Sequence, residues 1–411
     1  MKPIVLIATT SRWFPTARLG MALAKAGFEV ATICPSRHPL GVTSAVRYTH
    51  TYHGLAPLWS FAKAIDAVRP NLIVPSDDLA LLHLHRLYDQ AQRHGKSGLA
   101  MCALIERSLG APASFPVMSA RAAVMAVAKE EGVRAPTTEV ISNISDLRRW
   151  SRRMGFPTIL KTNTTSGGEG VRIVRTLEDA EQAFWKLQVP PMLARAAKRA
   201  VIDHDTRLVW PSLLRNRSVV NAQAFVAGRD ATSTVACWQG SILASLHFEV
   251  LNKHDSTGPS TVLRIIENFD MSIAAERMVR RLNLSGVVGL DFILEEGTTN
   301  AHLIEINPRA TQVGHLALGP GHDIPAAMYA AVSGETIREA AKVTDQDTIT
   351  LFPHEWLKNP ASLFLKSSYH DVPWEEPELI RACVSARRKE WTVYSQEVWV
   401  PSLDSVRVTR K

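Results

Sequence analysis

Short apolar stretches rich in β-branched residues alternate with longer amphipathic stretches through the first hundred residues of the chain. The alternation predicts strands and helices in turn, at residues 4–9, 16–26, 29–34, 58–68, 72–75 and 79–90. Strands that are each followed by a helix pair in parallel, because the helical crossover returns the chain to the same end of the sheet. We therefore expect an α/β domain with a doubly wound parallel sheet over residues 1–112.

The pattern changes after a glycine- and proline-rich break at residues 110–116. Beyond it, most predicted strands are joined by short turns. The predicted strand pairs are 219–226 with 233–238 and 287–294 with 301–306, and the predicted helices are 119–132, 177–187 and 272–282. This arrangement favours an α+β region with antiparallel sheets over residues 113–335. Residues 336–411 carry several aromatic residues and prolines, and we expect them to form a small C-terminal domain of unknown role.

The composition is that of an ordinary globular protein. The 411 residues are 46% hydrophobic and 21% charged, which excludes a disordered, collagen-like or coiled-coil molecule. A formal charge of +8 raises the question of nucleic-acid binding, but the basic residues come in small groups without interleaved aromatics. We interpret these groups as solvated helix faces, and an anionic small substrate accounts for part of the excess charge.

Cysteine usage and hydropathy restrict the compartment. The four cysteines are scattered without a CxxC pair, which indicates neither a disulfide framework nor a zinc site and favours the reducing cytoplasm. No apolar run approaches the ~18 residues that cross a bilayer, so we expect no membrane partner. The turn after the first predicted strand lacks the GxGxxG pattern, which argues against a dinucleotide-dependent dehydrogenase.

The sharpest local signal is a predicted strand with the sequence LIEINPR. Alternate residues of a strand face the same side, so Glu305 and Asn307 project together. A turn-rich connection joins this strand to a preceding one, and antiparallel pairing places Asp291 opposite Ile304 or Glu305. Three oxygen ligands then converge, which predicts a Mg²⁺ site that shares its coordination shell with substrate phosphates. The alternative interpretation is a solvent-exposed hairpin face.

A second signal is a strand that ends in Lys161 and continues through the loop TNTTSGGEG into another strand. Gly167, Gly168 and Gly170 allow backbone N–H groups to close on phosphate oxygens, which Lys161 neutralises from the adjoining strand. Because the loop joins two strands, it is predicted to be a hairpin lid and not a Walker A loop. A plain flexible turn is the alternative.

The order of these features resembles the ATP-grasp superfamily: a lysine strand, a glycine-rich hairpin, a hinge segment with the sequence QAFVAGRD, an aspartate strand and then EINPR. The resemblance covers roughly residues 1–335 and is to carboxylate-amine ligases of the D-alanine:D-alanine ligase and biotin carboxylase type. It implies that ATP binds between a nucleotide-binding lid at about residues 136–220 and a metal-bearing subdomain at about residues 221–335.

The resemblance also implies a role for each matching residue. Adenine would be held by Gln223 and by the backbone of Ala224 and Val226, and the ribose hydroxyls by Asp230. The nucleotide phosphates would contact Lys161 and the glycines of the lid, and Arg309 would face the transferred phosphate or the acyl phosphate. In full, the implied catalytic residues are Lys161 and Arg309, the nucleotide-binding residues are Arg121, Lys161, Gly167, Gly168, Gly170, Gln223, Ala224, Val226 and Asp230, and the ligands for Mg²⁺, or Mn²⁺ in its place, are Asp291, Glu305 and Asn307.

Two positions depart from the superfamily pattern, and one sequence feature of its biotin-dependent members is missing. Arg121 stands where many members have a second phosphate-binding lysine, and arginine still binds phosphate bidentately. Gly289 stands where ligases of the D-alanine type have an arginine, two residues before the aspartate. No biotin-attachment sequence is visible, which disfavours a carboxylase of the biotin type.

The resemblance implies an ADP-forming ligase that activates a small-molecule carboxylate as an acyl phosphate for attack by an amine or thiol, and it is compatible with a homodimer. Three alternatives stay open: an ATP-grasp small-molecule kinase, a non-catalytic nucleotide-binding regulatory protein, and a nucleic-acid-binding protein supported by charge alone. For the substrate, Lys253 and His254 are either anion-binding groups or part of a solvated loop, and His315 and His322 are either bases or hydrogen-bonded helix-end residues.

Overall fold

The computed structural model describes residues 2–163, 170–188, 218–256, 258–338 and 340–385 of the chain. The lid glycines Gly167 and Gly168 lie outside the described residues. In the described part of the chain, no helix is both long and apolar enough to span a membrane. Cys34, Cys102, Cys237 and Cys383 are all buried and unpaired.

The N-terminal region contains a parallel sheet, as its alternation of strands and helices predicts. The strand order of this sheet is β3-β2-β1-β4. The strands are β1 (Ile4–Ala8), β2 (Glu29–Cys34), β3 (Val46–Thr51) and β4 (Leu72–Pro75), and the helices are α1 (Phe14–Ala26), α2 (Pro57–Val68), α3 (Asp78–Arg93) and α4 (Leu99–Leu109). Successive residues of β1 face opposite sides, so Val5 and Ile7 pack with α1, and Leu6 and Ala8 pack with α2, α3 and α4.

Strand β3 is absent from the sequence-based expectation. It is an edge strand of mixed polar composition, VRYTHT, and most of its side chains are at least partly exposed. Such a strand lacks the continuous apolar character of the inner strands of a parallel sheet, which is why the pattern did not indicate it.

The second region is built around a four-stranded antiparallel sheet, which we call the lid sheet. Its order is β5-β8-β6-β7, with β5 (Thr138–Ile141), β6 (Thr158–Thr162), β7 (Val171–Val174) and β8 (Val220–Ala224). It packs against α7 (Ile144–Met154) and α8 (Leu177–Gln188) through a core that includes Trp150 and Phe184. The short α5 (Phe115–Met118) and α6 (Arg121–Glu130) connect the N-terminal region to it.

The third sheet, which we call the main sheet, has seven strands. It carries the hairpin with the predicted Mg²⁺ ligands Asp291, Glu305 and Asn307, which we call the metal hairpin. The strand order of the main sheet is β13-β12-β9-β10-β11-β14-β15, with β9 (Gly228–Trp238), β10 (Ser241–Lys253), β11 (Ser260–Ile265), β12 (Gly286–Glu295), β13 (Ala301–Asn307), β14 (Thr348–Leu351) and β15 (Tyr369–Asp371). Helix α9 (Phe269–Arg281) packs on one face against Val288, Leu290 and Phe292. Gly289 and Asp291, which alternate with those residues, therefore face the other side.

The predicted pairing of residues 219–226 with 233–238 is wrong. Strand β8 pairs with β5 and β6 in the lid sheet, whereas β9 pairs with β10 and β12 in the main sheet. The short connection between them, residues 225–227, passes from one sheet to the other. Proximity in sequence suggested a hairpin, but the buried faces of the two strands belong to two different cores.

The described part of the predicted C-terminal domain does not form a sheet of its own. Strands β14 and β15 extend the main sheet beyond β11. Helix α10 (Ile324–Ser333) precedes this segment, which contains helices α11 (His354–Lys358), α12 (Phe364–Ser367) and α13 (Pro377–Ser385). Ile349 and Phe352 are buried in the same core as Phe14 of α1, so this segment joins the N-terminal region to the main sheet. The short apolar run TITL is paired here with a distant strand, which local sequence does not reveal.

Candidate functional site

The metal hairpin has the register that its sequence predicts. Asp291 of β12 lies opposite Glu305 of β13, and Gly289 lies opposite Asn307. The Asn307 side-chain amide donates to Asp291 Oδ2 at 2.9 Å, and the Thr232 hydroxyl donates to Asp291 Oδ1 at 2.9 Å. Two carboxylates and one amide therefore lie together on the face of the main sheet opposite α9.

The charges of this cluster do not balance in the protein alone. Burial raises the pKa of Asp291, and the neighbouring Glu305 carboxylate raises it further, although Thr232, Arg309 and Lys161 oppose the shift. A carboxylate whose charge is disfavoured in this way gains from a bound cation. The donor atoms are hard oxygens, which are the ligands that Mg²⁺ prefers, so the residues present fit that ion.

No group of three or more His, Cys, Asp or Glu side chains gathers into a metal cluster in the described ranges. The candidate centre is consistent with this finding, because it has two carboxylates and an amide. The Asn307 oxygen accepts from Arg309 Nη2 at 3.2 Å, so part of the donor set is occupied by the protein itself.

Lys161 approaches the hairpin from the lid sheet. It lies on β6 and is only 4% exposed, and burial lowers its pKa while the charges of Glu305 and Asp291 raise it. Arg121, at the start of α6, lies between the same groups. Its Nη1 is 2.6 Å from Glu305 Oε2, and its Nε donates to the Thr162 carbonyl at 2.8 Å. A basic pair from the lid side therefore faces an acidic pair from the main sheet.

The predicted adenine-binding residues lie where the chain crosses between the sheets. Gln223 is buried on β8, and its Nε2 donates to Thr138 Oγ1 at 3.1 Å and to the Ile304 carbonyl at 3.4 Å. Its Oε1 has no hydrogen-bond partner among the described residues. The Ala224 N–H donates to the Thr137 carbonyl at 2.9 Å, and Val226 is half-buried in the connection that follows.

The remaining nucleotide-binding candidates flank this crossing. Asp230 lies at the start of β9 and accepts from Lys253 Nζ at 2.7 Å. Gly170, the one lid glycine that is described, is buried, and its carbonyl accepts from the Thr162 N–H at 3.0 Å. This bond closes the base of the lid hairpin, beside Lys161.

Arg309 has a partner that the sequence did not indicate. Its Nε donates to Asp78 Oδ1 at 2.6 Å, and the next residue, Ala310, donates its N–H to the Pro75 carbonyl at 2.9 Å. Burial lowers the pKa of Arg309, but Asp78 and Glu305 outweigh it and raise the pKa overall. Asp78 follows a parallel strand, and the carboxyl ends of such strands are where α/β proteins bind ligands, which is a signal that could have found it.

The other candidates from the sequence lie away from this cluster. His315 Nε2 is 2.6 Å from Asp371 Oδ2, and His322 Nδ1 lies 2.5 Å from the Ser245 carbonyl, so both are hydrogen-bonded. Lys253 is bonded to Asp230, and with His254 it lines a polar cavity of about 430 Å³. The structure brings neither histidine of the 315–322 loop into the hairpin cluster.

Two facing sheets, one with a buried lysine and one with an acidic antiparallel hairpin, have the arrangement of the ATP-grasp fold. Residues 119–337, more than half of the chain, match the family described as the ATP-binding domain of the carbamoyl-phosphate synthase L chain. The chain therefore belongs to this family, and the ATP-grasp resemblance seen in the sequence is confirmed.

Individual relatives are distant. The chain is 22% identical over 250 residues to the arginine-specific carbamoyl phosphate synthase large chain of Geobacillus stearothermophilus, a match that covers 60% of this chain and 22% of that protein. The chain spans less than a quarter of the length of the curated relatives that it matches.

Solved structures agree on the fold. The biotin carboxylase domain of Hydrogenobacter thermophilus 2-oxoglutarate carboxylase, a dimer in complex with MgADP, ADP and bicarbonate, has a TM-score of 0.55 at 14% identity over 83% of this chain and 71% of that one. An L-amino acid ligase from Bacillus licheniformis has a TM-score of 0.53 at 14% identity over 82% of this chain and 78% of that one. At these identities the likeness shows the fold.

Proposed function

We propose that the protein is an ADP-forming ligase that uses ATP to activate a carboxylate as an acyl phosphate, which an amine or thiol then attacks. The observation that carries the proposal is the opposition of charges across the cleft, with buried Lys161 on the lid sheet and the carboxylates of Glu305 and Asp291 on the main sheet. The fold neighbours support the reaction class, because they include an amino acid ligase and a biotin carboxylase domain with bound MgADP.

The nucleotide would lie with its base at the crossing between the sheets. The Gln223 Oε1 atom, buried and without a partner in the described chain, suits a donor such as the adenine amino group. The Ala224 N–H is already bonded to Thr137, so its carbonyl is the backbone group that remains for the base. Asp230, at the start of the next strand, would accept from the ribose hydroxyls.

Asp291, Glu305 and Asn307 would hold Mg²⁺, with Mn²⁺ as a substitute. A bound ion would supply positive charge that offsets the charge of the nucleotide phosphates. The protein's own part is to orient the Asp291 carboxylate through the hydrogen bonds from Thr232 and Asn307, and the bond from Thr232 also opposes the rise in its pKa. Arg121 now pairs with Glu305 and would move its contact to a phosphate oxygen.

A carboxylate resists nucleophiles because its charge repels them and because oxide is a poor leaving group. Transfer of the γ-phosphoryl to the carboxylate oxygen supplies phosphate as the leaving group, so the amine can then displace it. Positioning and charge neutralisation dominate this step, and we assign them to Lys161 and Arg309. Loss of one such group costs about 10²- to 10³-fold in rate.

The experiment is a panel of carboxylates against amines and thiols, with ADP and phosphate release recorded for each pair. We expect release that depends on both substrates and on Mg²⁺ and that is lost in Glu305→Gln. Glu296→Gln is the matched control, because Glu296 is an exposed residue in the turn of the same hairpin. A fully active Glu305→Gln protein would contradict the proposal.

The panel also separates the alternative functions. A stable phosphorylated product without any amine would indicate a kinase that uses the same nucleotide site. ATP binding without ADP release from any pair would indicate a regulatory protein. Under the proposed function the partners of the protein are small-molecule substrates. The proposed compartment is the reducing cytoplasm, which the four buried cysteines without disulfide bonds support.

A further inference from the structure

Arg309 is anchored by a carboxylate from a different region of the protein. It follows the metal hairpin, and its side chain is 12% exposed. Asp78, the first residue of α3 in the N-terminal region, accepts from Arg309 Nε, whereas Asn307 and the Ala310 carbonyl accept from the two terminal nitrogens at 3.2 and 3.4 Å. The strongest of these bonds, at 2.6 Å, is therefore to the carboxylate that lies outside the hairpin.

The neighbouring Asp77 shows why Asp78 is available for this contact. Asp77 caps α3 through the Ala80 N–H at 2.8 Å, and it also accepts from Thr9 and from the backbone and hydroxyl of Thr10. These bonds occupy both of its oxygens. Helix capping and the loop after β1 are thus supported without Asp78.

The position of this pair is fixed by backbone on both sides. Pro75, the last residue of β4, accepts from the Ala310 N–H at 2.9 Å, so the chain on either side of the ion pair is fastened to the end of the N-terminal sheet. Asp78 is held by the first turn of α3, and its side chain is 25% exposed. A short charged bond between two such backbones restricts the guanidinium to one orientation.

The charges around Arg309 show what this restriction prevents. Its Nη2 donates to the Asn307 oxygen at 3.2 Å, and the Asn307 amide donates to Asp291 Oδ2 at 2.9 Å, so the guanidinium lies one side chain away from Asp291, which is opposite Glu305 in the hairpin. If the guanidinium paired with either one, it would neutralise a ligand that the divalent ion needs. Asp78 competes with those carboxylates for the Arg309 guanidinium.

We propose that Asp78 is a positioning residue, which holds Arg309 through its Nε and so keeps the guanidinium away from the metal-binding carboxylates Asp291 and Glu305. The inference rests on the proposed function, because it takes Asp291 and Glu305 as ligands of a divalent ion. It adds the N-terminal α/β region to the parts of the chain that prepare the reaction.

The test is a double-mutant cycle on the full chain, with Mn²⁺ affinity measured by electron paramagnetic resonance in the presence of ADP. In the native background we expect Asp78→Asn to weaken Mn²⁺ binding about tenfold. In the Arg309→Gln background we expect the same substitution to weaken it less than about twofold. The Asp89→Asn control removes an exposed carboxylate from the same helix and should leave the affinity unchanged. Asp78→Glu keeps the charge and should recover part of the loss.

The outcomes separate the inference from the function on which it rests. An equal effect of Asp78→Asn in both backgrounds would show a general loss of negative charge and would overturn the inference. The absence of any effect on Mn²⁺ affinity in the native background would also overturn it. Absence of Mn²⁺ binding by the native chain with ADP would overturn the proposed function as well. In the ligase assay at saturating Mg²⁺, the expected signature is a fall in kcat of about 10- to 100-fold, which Asp78→Glu should partly recover, since Asp78 contacts Arg309 and not the nucleotide.

Discussion

Two aspartates inside the protein have opposite electrostatic surroundings. Asp291 lies half-buried in the cleft, and its pKa is raised by burial and by Glu305. Asp371, on β15, is 2% exposed, yet Arg18 and His315 outweigh the effect of burial and hold its pKa well below the usual range. The first carboxylate is short of positive charge, and the second is fully compensated.

The difference separates a site from a structural cluster. Arg18 Nη2 lies 2.5 Å from Asp371 Oδ1, and His315 Nε2 lies 2.6 Å from Oδ2, so each oxygen has a basic partner. These residues come from α1, from the loop after the metal hairpin and from the C-terminal strand, which ties three regions together. A buried carboxylate with complete partners stabilises the fold, whereas one without them is a candidate for ligand binding.

The largest expected effect is on stability, at the compensated carboxylate. Asp371→Asn leaves Arg18 buried without its main partner, and breaking a buried pair in this way costs about 3–5 kcal/mol. We expect chemical denaturation to show a lower free energy of unfolding by that amount. Asp345→Asn, which removes an exposed carboxylate from the same C-terminal segment, should change it by less than about 0.5 kcal/mol. If Asp371→Asn changed the free energy of unfolding by less than about 1 kcal/mol, Asp371 would not differ from Asp291 in the way proposed.

The same contribution should depend on pH. Because the folded-state pKa of Asp371 is lowered, its stabilisation is fully present above the unfolded value of about 3.9 and is lost as pH falls toward the folded value. The difference in stability between the native chain and Asp371→Asn should therefore be constant from about pH 5 to 7 and shrink below about pH 4. Urea denaturation across this range measures it, and a difference that grows on acidification would contradict the assignment.

For Asp291 we expect the opposite change in stability on substitution with Asn. Because the folded-state pKa of Asp291 is raised, the stability of the protein falls as pH rises from the unfolded value of about 3.9 to the folded value, and the loss is complete above it. Asp291→Asn should therefore stabilise the metal-free protein by about 1 kcal/mol at pH 7 and have no stabilising effect below about pH 4. The same variant should lose the rise in Tm that Mg²⁺ and ADP give to the native chain. Destabilisation at pH 7 would show that Asp291 is a structural residue like Asp371.

The smallest effect should come from Asp230, at the exposed edge of the cleft. Asp230 forms an ion pair with Lys253, and 42% of the Asp230 side chain is exposed. Exposed ion pairs contribute less than about 1 kcal/mol to the free energy of unfolding. Asp230→Asn should leave Tm nearly unchanged and weaken ATP binding a few-fold through the ribose. Titration calorimetry measures the affinity, and an unaltered dissociation constant would remove Asp230 from the proposed nucleotide pocket.

The sequence predicted the parts of the site that depend on local geometry. Asp291, Glu305 and Asn307 follow strand periodicity and one tight connection, so the hairpin could be worked out from spacing alone. Lys161 could be placed at the base of a glycine-rich hairpin for the same reason. The roles of these residues stay predictions until the proposed assays are made.

Contacts between distant segments could not be predicted in this way. Asp78 meets Arg309 across 231 positions and Arg18 meets Asp371 across 353, and neither pair has a local signature. The incorrect pairing of β8 with β9 has the same origin. Two neighbouring strands usually form a hairpin, and only the packing of each against its own helices assigns them to separate sheets.

The extension of the main sheet by β14 and β15 bears on how the gene can be shortened for expression. A fragment that stops at residue 337, where the family match ends, would remove the strand that hydrogen-bonds to β11 and would strip Phe352 from its contact with Phe14. The newly exposed edge and apolar surface favour aggregation. The matched family domain and its C-terminal elements should therefore be produced as one piece that includes β15 and α13.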